Sequence, residues 1–172
     1  MDDYGTAGLA MAPRAAMMEA VTEMVDHEGA MRLALAQAHA AAAVGETPVG
    51  AVVVKGGEII GTGQERTRAT LDLSAHAEVE ALRSASQRLR SSRLEGCTLY
   101  TTVEPCVLCG YAIRRAGLSR VVYGVAAGQA GAITSRYSIL TDADLAGWPA
   151  APDIVAGVLA TECRDALRRG PR

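Results

Sequence analysis

The stretch Thr98-Leu99-Tyr100-Thr101-Thr102-Val103-Glu104-Pro105-Cys106-Val107-Leu108-Cys109 changes character halfway along. Its first six residues are β-branched, aromatic or aliphatic and read as a strand. Pro105 suits the start of a helical turn, and Cys106 to Ala116 read as a helix. Cysteines at i and i+3 of a helix share one face, so Cys106 and Cys109 are expected side by side at its first turn. Free N–H groups and the positive end of the helix dipole there favour thiolates.

Working outward, Arg120 to Val125 reads as a further strand after this helix, and Ala75 to Arg90 as a helix before the quoted one. Pro48 to Lys55 and Glu58 to Thr62, separated by Gly56-Gly57, predict a hairpin. Gly29 to Val44 predicts a helix with Met31, Leu35, Ala38 and Ala42 facing the core, between an Asp26 N-cap and Gly45. Gly128 to Pro152 reads as loop with one short helix, followed by a short strand near Ile154 to Ala156 and a helix from Val158 to Arg169. The arginines Arg164, Arg168 and Arg169 near the end of that helix suit its dipole. Alternating helices and strands after an opening hairpin predict an α/β fold, a mixed sheet with helices on both faces.

The 172 residues, 49% of them hydrophobic, suit one domain with an ample core. Residues 1–25, rich in Ala and Met, read as an N-terminal extension, and 26–172 as a single domain. A formal net charge of −2 gives no global positive field to attract a polyanion. Arg83, Arg88, Arg90 and Arg93 read as a solvated face. The first residues lack a basic segment followed by an apolar one, so no signal peptide is read. No apolar run is long enough to span a bilayer, and a reducing cytoplasmic setting without membrane contact is the expectation. Cys97 and Cys163 read as small buried hydrophobes, and His27 and His39 as surface residues.

Two segments carry chemistry. His76-Ala77-Glu78 and Pro105-Cys106-Val107-Leu108-Cys109 together match the signature of zinc deaminases, histidine-x-glutamate followed by proline-cysteine-x-x-cysteine. His76, Cys106 and Cys109 supply three zinc ligands and leave a fourth tetrahedral position for water, the arrangement of a catalytic site. Glu78, two residues beyond His76, is the expected proton shuttle in a hydrolytic attack on an amidine carbon with loss of ammonia. A closed site with Cys97 or His39 as fourth ligand has no support in the spacing. A redox role for the cysteine pair leaves His76 and Glu78 without explanation.

With these residues in place the sequence resembles the cytidine deaminase superfamily, in its branch of guanine deaminases, yeast-type cytosine deaminases and bacterial tRNA adenosine deaminases. The likeness covers roughly Met31 to Val125, with a weaker echo in Gly157 to Leu167. It includes Pro48-Val49-Gly50-Ala51, Ala75 to Glu78, Leu99-Tyr100-Thr101, Glu104-Pro105-Cys106 and Arg120 to Gly124. The resemblance implies a three-layer α/β/α sandwich around a five-stranded mixed sheet, one zinc ion per subunit, and a homodimer. It also implies substrate contacts from Gly50, Ala51, Ala77 and Glu104, with Tyr137 and Trp148 as aromatic candidates and Asp142 or Asp144 as further ones.

Departures from the family pattern bear on substrate. Where guanine- and tRNA-acting members carry glycine-x-asparagine after the second strand, this chain has Gly63-Gln64-Glu65. An ionised Glu65 only accepts hydrogen bonds and would prefer a ring edge rich in N–H donors. A shift of one residue would instead put Glu65 in a solvated turn, where Arg66 and Arg68 stand close enough to pair with it. The aspartate and lysine that tRNA-acting relatives carry after the strand ending at Val125 are replaced by Ala126 to Gly131, and the chain has no Phe and one Trp for stacking on RNA. The expectation is therefore a deaminase of a free nucleobase or similar small heterocycle (guanine, isoguanine, cytosine or aminotriazine type), with no nucleic-acid partner. The alternatives are a tRNA-specific adenosine deaminase and a non-catalytic zinc scaffold.

Overall fold

The computed structural model describes residues 26–170, and the expected N-terminal extension, residues 1–25, lies outside them. Asp26 caps the first helix, α1 (His27–Ala43), by accepting from the Gly29 N–H at 2.6 Å. A hairpin follows, β1 (Gly50–Lys55) and β2 (Glu58–Gln64), then a single helical turn α2 (Thr67–Thr70) and helix α3 (Ala77–Leu89). Strand β3 (Cys97–Val103), helix α4 (Val107–Ala116) and strand β4 (Arg120–Val125) form the βαβ unit, and β5 (Asp153–Ala156) and α5 (Ala160–Arg168) close the chain.

The five strands lie in the order β2-β1-β3-β4-β5, with β1 antiparallel to both neighbours and β3, β4 and β5 parallel. Alternation along each strand divides the core in two. Ala51, Val53, Leu99 and Val121 face α3 and α4, whereas Val52, Val54, Tyr100 and Val122 face α1 and α5. This is the expected α/β/α sandwich. Cys97 and Cys163 are both buried in it. No helix among the described residues is long and apolar enough to cross a membrane.

Several expectations need correction. The stretch Gly128 to Pro152 holds only a 3-10 turn, Gly128–Ala130, in place of a helix. The last helix begins at Ala160 because Leu159 sits in the left-handed region at φ 50°. His27 is half-buried, its Nδ1 3.0 Å from the Tyr100 hydroxyl. The core face of α1 runs through Ala30, Met31, Ala34, Leu35, Ala38 and Ala41, one position off the expected Ala42.

Glycine at one position sets the seat of α3. A Cβ on Gly63 would stand 2.1 Å from the Ala77 carbonyl and 2.4 Å from the Ala81 nitrogen. Only a bare Cα lets the first turn of α3 lie against β2. Replacing Gly63 by Ala is expected to destabilise the fold by about 1–3 kcal/mol through overpacking. It should also weaken zinc retention, because Ala77 follows His76 directly. Thermal unfolding and zinc content of the purified variant check both.

Candidate active site

One edge of the sheet gathers the site. Gly50 at the start of β1 pairs with Gln64 at the end of β2, and Val103 at the end of β3 pairs with Val125 at the end of β4. Chain segments leaving or joining the sheet at this edge line a cavity of about 260 Å³: Thr47 and Val49 ahead of β1, Glu65 after β2, Val103 and Glu104 from β3, and Ala127 after β4. His76, Glu78 and Cys106 complete it from the starts of α3 and α4. Clefts at the carboxyl ends of parallel strands are where α/β folds bind ligands.

Both helices begin on a donor residue. His76 is the N-cap of α3 and Cys106 that of α4, and neither makes a side-chain capping bond. Their side chains turn toward each other instead. The Cys106 and Cys109 sulfurs are 3.7 Å apart, and His76 Nδ1 lies 3.6 Å from the first and 3.5 Å from the second. Ligands at ordinary zinc bond lengths in a tetrahedron stand about 3.8 Å apart for two sulfurs and about 3.6 Å for sulfur and nitrogen. The triangle therefore fits zinc. Among the described residues this is the group of His, Cys, Asp and Glu side chains placed to hold a metal ion. Cys97 lies at the far end of β3 and His39 is exposed on α1, so neither closes the site.

Charge in this cluster is shared. The hydrogen bond between the two sulfurs, helped by His76, draws the Cys106 thiol down to about 4 and pushes Cys109 far above the usual thiol range. Contact with Cys106 raises His76 to about 9. Glu78, 3% exposed, is raised to about 7, first by burial and then by the nearby Cys106 charge. Its Oε2 is 3.5 Å from the Cys109 sulfur, and its Oε1 is 3.3 Å from the Thr101 hydroxyl. Thr101, on the inward face of β3, joins the site though the sequence offers it only as part of a strand motif. Only the register of β3 against α3 reveals it.

The remaining candidates separate. Glu65 does line the cavity, buried, with its carboxyl raised by burial against the opposing pull of His76. Glu104 also lines it, but its carboxylate is committed. It accepts from the backbone N–H groups of Ala127 at 3.0 Å, Ile133 at 2.9 Å and Thr134 at 2.7 Å, and from the Thr134 hydroxyl at 2.7 Å. Burial alone would raise this carboxyl; the four bonds hold it below its ordinary range. Gly50, Ala51 and Ala77 are not among the residues lining the cavity: Gly50 lies under α1 with its N–H donated to the Thr102 hydroxyl at 3.2 Å, and Ala51 and Ala77 are fully buried. Trp148 stands edge-on to Tyr111 at 5.2 Å and does not line this cavity. Tyr137 lines a neighbouring one. Asp142 and Asp144 are exposed and bonded to each other in a turn.

Comparison with known proteins matches residues 24–125 to the family described as the cytidine and deoxycytidylate deaminase zinc-binding region. A tRNA-specific adenosine deaminase from Agrobacterium fabrum is 36% identical over 146 residues, 85% of this chain and 94% of its own length. A tRNA(Ile)-lysidine synthase from Deinococcus deserti is 41% identical over 140 residues, 81% of this chain; the match spans about a quarter (26%) of that relative. A solved structure from work on A-to-I editing by tRNA:A34 deaminases superposes with a TM-score of 0.75 at 36% identity, covering 80% of this chain and 98% of that one. These relatives overturn the expectation of a free heterocycle as substrate and of no nucleic-acid partner. Whole-chain charge and the scarcity of Phe and Trp, two of the grounds for that expectation, average over the chain, and the two local departures do not sense the rest of an RNA-binding face.

Zinc uptake should release protons. Coordination needs both sulfurs as thiolates and a neutral imidazole. At pH 8 the metal-free site has Cys106 already ionised, Glu78 largely so, and protons still on His76 and Cys109. Close to two protons should leave per zinc bound, so affinity rises with pH and rises less steeply above about 9, where His76 is already neutral. Calorimetry in buffers of different ionisation enthalpy counts them.

Proposed function

Because the chain belongs to the cytidine and deoxycytidylate deaminase zinc-binding family, and with it is a zinc-dependent hydrolytic deaminase, we propose that its substrate is an adenosine within tRNA, converted to inosine with release of ammonia. The observation that carries this reading is the run of tRNA-specific adenosine deaminases at 36–40% identity over most of the chain. The cavity supports it in size: about 260 Å³ takes a single ring system, so the base must leave its stack to reach Glu78.

When held by His76, Cys106 and Cys109, zinc supplies the Lewis acidity that lets water lose a proton near neutral pH. The chain's own groups do the rest. Glu78 takes that proton and passes it to the adenine ring nitrogen as oxygen bonds to the amino-bearing carbon. Glu78 then takes the proton of the newly bonded hydroxyl and gives it to the amine as the bond from nitrogen to carbon breaks, leaving a carbonyl and ammonia. A carboxyl raised to about 7 by burial is suited to accept and return a proton at neutral pH. The Thr101 hydroxyl lies 3.3 Å from it and 3.0 Å from the Val103 carbonyl, and its one proton is shared between them. Glu65, whose carboxyl is raised by burial against the pull of His76, lines the same cavity and stands where a ring edge can meet it.

The expected homodimer belongs to the same reading and is supported by Val107, Leu108 and Tyr111, which form an exposed apolar face on α4. The cytoplasm, where tRNA is modified and thiols stay reduced, is the compartment we propose.

Glu78→Gln keeps the shape of the side chain and should lower deamination of a tRNA anticodon stem-loop by about 10²–10⁴-fold, with zinc content unchanged. Inosine formation in the stem-loop, read by mass spectrometry beside free adenine, guanine and cytosine, checks the substrate. Ammonia from a free base with none from the stem-loop would reject the proposal.

A further inference from the structure

Beside the cavity that holds Glu78 lies a larger one of about 610 Å³, lined by Gly128, Gln129, Thr134, Ser135, Arg136 and Tyr137. The two share a wall. Ala127 lines the first and Gly128 the second, and the Glu104 carboxylate in the first is bonded to the Thr134 N–H and hydroxyl in the second. Removing an amino group from one base makes no use of this second space.

Its side chains form a stacking surface with a charge beside it. Tyr137 is 47% exposed, and the Arg136 guanidinium carbon lies 4.6 Å from the centre of its ring, with a guanidinium N–H bonded to the Tyr137 hydroxyl. The backbone beneath is fixed: the Tyr137 N–H donates to the Ser135 hydroxyl at 3.0 Å, and the Ile139 N–H donates to the Tyr137 carbonyl at 2.7 Å. Among the described residues, Arg32, Arg83, Arg88, Arg93, Arg120 and Arg168 each face a carboxylate. Arg136 is one of several other arginines that form no such pair among the described residues, and the one that borders this cavity, so its charge is available there to an incoming anion.

We infer that this cavity receives the nucleotide next to the reacting adenosine, with its base stacked on the Arg136–Tyr137 pair and its phosphate at the Arg136 guanidinium. Every base has a face to stack and every linkage a phosphate, so the subsite adds affinity and holds the strand while one base is turned into the neighbouring cavity. It rests on the tRNA reading above and assigns that strand a path along residues 127–137.

The test uses the zinc-loaded protein, an anticodon stem-loop, and two versions of it with an abasic residue on either side of the reactive adenosine. Tyr137→Leu and Arg136→Gln should each raise KM about tenfold, the size of one lost stacking contact, with kcat within about twofold of the parent. Tyr137→Phe should keep the parent KM. Arg136→Gln should also reduce the slope of log KM against log salt by about 0.7, one single-strand phosphate contact. On one of the two abasic substrates the Tyr137→Leu penalty should vanish, because the base it would stack is already gone. If the parent deaminates the stem-loop and Tyr137→Leu matches it on all three substrates, the subsite is refuted while the tRNA reading stands. If the parent acts only on free bases, both fall.

Discussion

Two helix N-termini meet at one edge of the sheet, and the rest of the site depends on that meeting. His76 caps α3 and Cys106 caps α4 without bonding back to their own helices, which leaves a nitrogen and two sulfurs 3.5–3.7 Å apart. Three such donors without a metal repel or trap protons, as the low Cys106, high Cys109 and raised His76 values display. With zinc the same crowding becomes binding energy, and because the ligands come from separate helices the ion ties α3 to α4. Close packing makes this alignment possible: bare backbone at Gly63 seats α3 on β2.

Glu104 fixes the other wall. The long irregular stretch between β4 and β5 has only a 3-10 turn and an isolated bridge from Gly131 to Cys106, and a loop of this length needs anchors if it is to hold a shape. Four donors from residues 127–134 converge on the Glu104 carboxylate, and a Cβ on Gly131 would stand 2.2 Å from it. The buried guanidinium of Arg114 holds the next segment through the Ile139 and Asp142 carbonyls at 3.2 and 2.8 Å. A loop pinned in this way can carry recognition, because its side chains stand on a fixed backbone.

Much of this was legible in the residues. The hairpin, the βαβ unit and the metal triad follow from local patterns, and the ends of β4 agree with the sequence to the residue. Positions whose role depends on tertiary contact were not legible. Thr101 looks like any strand threonine until β3 is set against α3, and Glu104 looks like a substrate ligand until the loop folds onto it. Gly50, Ala51 and Ala77 belong to the quoted motifs, and only the folded chain shows that they are buried away from the cavity lining. Substrate class misled for a similar cause. Net charge and one glutamate for asparagine describe an average and a point, whereas a nucleic acid, the substrate named for the relatives, is met by a whole surface.

Everything above turns on an open zinc site built from two thiolates and one imidazole. X-ray absorption at the zinc edge of the loaded protein tests it most directly. Two sulfurs are expected at about 2.3 Å and two lighter scatterers at about 2.0–2.1 Å, one being His76 and the other exchangeable. Three or four sulfurs, or a shell without sulfur, would contradict it.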